Sequence, residues 1–129
     1  MTNPAPGFAK NPGYRVALVP ESRHVKIVFA GVTIAESDRA LRIEETGHAP
    51  VHYLPEQDVR MELLRPTDHH THCPYKGEAS YWTIAVPAGG SVRSSENAVW
   101  AYPSPYDEVE GLARHYAFYG SRVDAITVA

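Results

Sequence analysis

Short runs rich in Val, Ile and Tyr, each closed within a few residues by Pro or Gly, recur along this 129-residue chain, which carries 11 prolines and 9 glycines. Proline removes a backbone donor and biases its predecessor away from the helical region, so long helices have almost nowhere to form. Tyr14 to Val19 and His24 to Phe29 read as strands around a turn at Pro20, Glu21 and Ser22. Val32 to Ala35 and Ala40 to Glu45 follow, with Leu41 and Ile43 on one face and Arg42 and Glu44 on the other. Val51 to Leu54, between Pro50 and Pro55, is extended, and Glu56 to Asp58 is one helical turn, whereas Val59 to Leu64 fits either type. Ser80 to Val86 and Ser91 to Tyr102 form a hairpin about Pro87, Gly89 and Gly90. Tyr106 to Arg114 is a second helical stretch, and Tyr116 to Tyr119 and Val123 to Val128 end the chain as strands. Strands this short and this regularly spaced predict a mainly β fold: a single antiparallel β-sandwich, rolled sheet or open barrel with one or two short helices.

The first thirteen residues, with Pro4, Pro6, Gly7, Pro12 and Gly13, lack apolar periodicity and read as a flexible or loosely packed arm that Phe8 could dock. Residues 14 to 129 read as one domain. A formal charge of −3 and the lack of a basic run argue against a nucleic-acid partner, and no apolar stretch is long enough for a membrane span. One cysteine builds no disulfide framework and no leader-like segment is present, so the cytoplasm is the default compartment.

Chemistry concentrates between Asp68 and Gly77, where Asp-His-His-Thr-His-Cys-Pro-Tyr-Lys-Gly holds three of the seven histidines and the only cysteine. Pro74 favours an extended Cys73, which puts His70 and His72 on one face and His69, Thr71 and Cys73 on the other. His70 and His72 are therefore candidate ligands for one metal ion, zinc by donor type, with His48, His52 or carboxylates needed to complete the set. The competing chemistry is a thiolate, with Cys73 as nucleophile, Lys76 as the cation favouring it, and His72, His48 or His52 as base. Against both stand plain alternatives, hydrogen-bonded loop histidines and a packing thiol. Pocket walls would come from Tyr81 or Trp82, which point to opposite faces, and from Trp100 with Tyr102, which share one. Arg60, embedded in an apolar run, either pairs with a carboxylate such as Glu44 or meets an anionic ligand.

Ile34 to Leu41, Asp58 to Leu64, Thr71 to Gly77 with Tyr81-Trp82, Glu96 to Tyr102, Tyr116 to Tyr119 and Val123-Asp124 occur in an order that resembles the DUF427 family over nearly everything after the arm. The resemblance implies a small, soluble, β-dominated domain, mostly bacterial, without an established role. Members are sometimes labelled nucleotidyltransferase-like, yet that chemistry needs a Gly-Ser turn followed closely by paired metal-binding carboxylates. Neither Gly90-Ser91 nor Gly120-Ser121 is followed that way. The functional expectation is a pocket for a small, anionic molecule, with thiol-dependent catalysis as one form of it. The alternative is a non-catalytic interaction module, and the oligomeric state is monomer or homodimer.

Overall fold

The computed structural model describes residues 2–129, and among these ten strands form two antiparallel sheets. In chain order the strands are β1 (Val16–Pro20), β2 (Val25–Phe29), β3 (Val32–Ser37), β4 (Leu41–Glu45), β5 (Val51–Pro55), β6 (Leu64–Cys73), β7 (Gly77–Ala88), β8 (Ser91–Ala101), β9 (His115–Phe118) and β10 (Ala125–Val128). The larger sheet runs β1-β4-β5-β9-β8-β7-β6 and curls into a half-barrel, and the smaller runs β10-β2-β3. Among the described residues no helix is long and apolar enough to cross a membrane.

Alternation along the strands gives the large sheet two apolar faces. One packs on the small sheet, where Ile27 and Ile34 meet Leu54, Ile84, Val99 and Phe118. The other gathers Ile43, Tyr53, Tyr81 and Tyr102 beneath Val109 and Leu112. Those last two residues belong to 3-10 turns over Asp107–Leu112, where a helical stretch was expected. Val109, at φ −129°, breaks the helix.

Strands β1 and β2 are neighbours in sequence but enter different sheets: β1 pairs with β4, and β2 with β3 and β10. The corner between them is fixed by Glu21, whose N–H donates to Ala40 O at 2.8 Å. Its carboxylate is buried and accepts from Arg23 at 2.7 Å, Arg42 at 3.1 Å and His52 at 2.8 Å. A buried carboxylate is tolerated only with such partners. A second junction ties β3 to the turn after β5: Asp58 accepts from Ser37 at 2.6 Å and from Arg39 Nε and Nη2 at 2.9 and 3.1 Å.

The stretch of undecided type is a 3-10 turn, Met61–Leu63, leading into β6. Strand β6 is extended through residues 69–73 as expected, and it lies at the sheet edge, where a proline such as Pro66 is tolerated. The β7–β8 hairpin turns at Gly89 and Gly90, both at positive φ (56° and 84°), as a tight two-residue turn requires.

Part of the arm lies against the domain. Gly7–Lys10 forms one helical turn, Ala5 and Gly7 are buried, and Gly7 N–H donates to Pro74 O at 2.9 Å. Phe8 does dock, edge-on to Tyr75 with ring centres 5.0 Å apart.

Candidate functional site

Strands β5 and β9 are paired only at Leu54↔Tyr116 and Pro55↔His115. Residues 51–53 and 118–120, beyond those pairs, instead border a cavity of about 790 Å³ that reaches Ile27 and Ile126 of the small sheet. The splay follows from competition for partners: β5 is held by β4 through Val51, Tyr53 and the residue between them, while β9 follows β8 at Val99↔Phe118 and Trp100↔Ala117.

One wall is aromatic. Tyr81↔Trp100 is a cross-strand pair, and Tyr102 follows on the same face two residues later. Trp100 Nε1 donates to Tyr53 OH at 3.1 Å, their rings are nearly perpendicular, and Tyr119 lies tilted on Trp100 at 4.4 Å. Tyr81 shares a 2.8 Å hydrogen bond with Thr71. Burial pushes the Tyr53 and Tyr102 hydroxyls far above the ordinary tyrosine value, and Tyr119, also chiefly by burial, up to about 12. These hydroxyls remain protonated donors at neutral pH.

The opposite wall carries charge. The β1–β4 register sets Val16 against Glu45, which leaves Tyr14 just beyond the ladder, and its hydroxyl donates to Glu45 Oε2. Strands β6 and β7 are joined by a turn closed at Cys73↔Gly77, with Lys76 N–H donating to Cys73 O at 3.3 Å. Gly77 sits at φ +125°, and a Cβ there would lie 3.2 Å from Ser104 O, so only glycine lets the turn close against that loop. Lys76 is thereby carried inward and donates from Nζ to Glu45 Oε1 at 2.5 Å, with side chains only 9% and 12% exposed. Burial opposes ionisation of Glu45, but hydrogen bonds from Lys76 and Tyr14, together with the nearby charges, hold its pKa below the ordinary value. Tyr75 stacks on Tyr14 at 4.0 Å and closes that end.

Of the residues the sequence suggested, Cys73, Lys76, Tyr81, Trp100 and Tyr102 line this cavity together. Four others do not. His72 is on the outer face of β6, with Nε2 2.7 Å from Tyr106 OH, because even-numbered residues of this segment point away from the cavity. Trp82, opposite in parity to Tyr81, packs on Tyr116 in the core between the sheets. Glu44 is exposed and accepts from Arg42 at 3.0 Å. Arg60 precedes the Met61–Leu63 turn rather than lying in a strand, so it swings out and pairs with exposed Glu62 at 3.2 Å, not with Glu44.

His70 shares the outer face with His72 and lies 3.7 Å from Glu78. Among the described residues no group of three His, Cys, Asp or Glu side chains is arranged to hold a metal ion. His48 and His52 both border the cavity, His52 engaged by Glu21. Gly90-Ser91 is the β7–β8 turn and Gly120-Ser121 part of a 3-10 turn.

Sequence reasoning missed Glu45, Tyr14 and Tyr53. For Glu45 the signal was present: the alternation that puts Leu41 and Ile43 inward puts Glu45, not Glu44, with them. Tyr14 and Tyr53 carried no such mark, since their roles arise from partners distant in sequence.

A family model described as a domain of unknown function (DUF427) matches residues 17–129. No curated protein matches the chain.

Proposed function

The chain belongs to the DUF427 family, a domain of unknown function, and we propose that it binds a small organic molecule with a planar, apolar body in the cavity between its splayed strands. The observation that carries this reading is a cavity of about 790 Å³ lined by aromatic side chains (Tyr53, Tyr81, Trp100, Tyr102) and by one compact polar group, Glu45 with Lys76 and Tyr14. Ligand sites combine these features: apolar walls supply burial, and a few convergent polar atoms fix orientation. The small anionic ligand expected from the sequence rested on Arg60, which lies outside the cavity, and on Lys76, whose charge Glu45 balances.

Trp100 provides the test. In Trp82→Phe it is the remaining tryptophan, so a compound found by a thermal-shift screen of metabolites must also change its emission. A screen without hits, or hits that leave Trp100 emission untouched, would defeat the reading.

A second reading, thiol-dependent chemistry, is favoured by Cys73 lining the same cavity. It requires that a bound ligand slow alkylation of Cys73. Labelling no faster than that of a free model thiol, with or without ligand, makes Cys73 a packing residue.

A further inference from the structure

Resting on that reading of the cavity, we infer that its ligand is electrically neutral and carries a carbonyl-type oxygen, and that Lys76 grips this oxygen. An ammonium has three donors. Among the described residues the Lys76 Nζ meets one acceptor, Glu45 Oε1 at 2.5 Å, although the residue is only 7% exposed and borders the cavity. Two donors on a buried cation are thus left for something that enters the cavity, and leaving them unmade is unfavourable.

Charge decides which acceptor. Glu45 already offsets Lys76 and accepts from Lys76 at Oε1 and from Tyr14 at Oε2. An entering cation would place a second positive charge beside Lys76, whose one partner is Glu45. An entering anion would place two negative charges against one positive charge beside a pair whose side chains are only 9% and 12% exposed. The other basic groups on the cavity do not change this. His52 is committed to Glu21 at 2.8 Å, and exposed His48 acts on Glu45 only after the larger effects of Lys76 and Tyr14. A ketone, amide or lactam oxygen accepts from Lys76 without disturbing the balance, and its planar body lies along Tyr53, Trp100 and Tyr102.

Three probes of nearly equal shape separate the terms: 2-acetonaphthone, 2-naphthoate and 2-ethylnaphthalene, with affinities for the full chain measured by equilibrium dialysis. The ketone is expected to bind about tenfold or more tighter than either of the others, as one hydrogen bond to a charged donor implies. In Lys76→Met/Glu45→Gln, which removes both charges at once, its advantage over the ethyl compound should shrink to about twofold or less. Naphthoate binding tightest overturns the neutral class, and equal binding of ketone and ethyl compound overturns the role of Lys76; either result leaves the cavity standing as a binding site. Failure of all three to bind overturns the cavity reading and this inference with it. If the double variant does not fold, the wild-type ratios alone decide.

Discussion

Replacing Lys76 with Met takes the cation from a carboxylate that the fold holds in place. The pair is 2.5 Å long with side chains 9% and 12% exposed. Removing one member of such a pair costs about 3–5 kcal/mol, because the remaining charge has neither water nor counter-charge. Tyr14 still donates to Glu45 and the group borders a cavity, so the low end applies, about 3 kcal/mol. With a urea dependence of about 2 kcal/mol per molar for a domain of this size, the unfolding midpoint should fall by about 1.5 M at neutral pH. Lys76→Met/Glu45→Gln should recover about half of the loss, since no charge is left unpaired. The pH dependence has a definite sign. In the wild type the folded pKa of Glu45 lies below its ordinary value of 4.5. Its contribution is therefore complete above that pH and is lost as pH falls through the depressed value. Without Lys76 burial prevails, the folded pKa rises above the ordinary value, and protonation relieves the variant. The gap between wild type and Lys76→Met should accordingly narrow on acidification from neutral pH through the range around 4.5. A neutral-pH loss under about 1 kcal/mol, or a gap that widens in acid, would refute the assignment of Lys76 and Glu45 as a buried, coupled pair.

Gly7→Ala would put a Cβ 2.6 Å from Tyr75 Cε1, a ring clamped between Phe8 and Tyr14. The variant should lose about 1–3 kcal/mol in urea unfolding and release the arm to limited proteolysis, and unchanged cleavage would contradict the docking. Glu21 is held far below its ordinary value of 4.5 by hydrogen bonds from Arg23 first, then His52 and Arg42, against the opposing effect of burial. Its stabilisation is present above that value and disappears as pH drops, so Glu21→Gln should flatten the fall of Tm in acid, and an equally steep limb would count against the corner assignment. Tyr14, Tyr53, Tyr102, Tyr116 and Tyr119, five of the eight tyrosines, have raised pKa values, burial being the first cause in each. At about pH 11 the folded protein should therefore show less than half of the phenolate absorbance of the urea-unfolded chain, and equal absorbance would exclude the buried wall.

Local chemistry in the sequence determined where the strands fall. Pro50 and Pro55 bound β5, Gly89 and Gly90 turn the β7–β8 hairpin, and the strand period of two separates Tyr81 from Trp82 while joining Trp100 to Tyr102. The same period placed Cys73 apart from His70 and His72, and it pointed to Glu45 over Glu44. What tertiary structure decided is everything that depends on which distant segments meet. Lys76 reaches Glu45 across 31 residues, and Tyr14 reaches the same carboxylate across 31 more in the other direction. Arg60 leaves the site because a single 3-10 turn rotates it outward, a deviation that an apolar run does not encode. Nor does any local pattern show that β1 and β2 part company at a buried Glu21, or that β5 and β9 separate after two pairs. Periodicity reports which way a side chain points from its own backbone. Register, burial of a paired charge and the opening of a cavity are settled by long-range packing, where one carboxylate is stabilised only if its partners arrive from elsewhere in the chain.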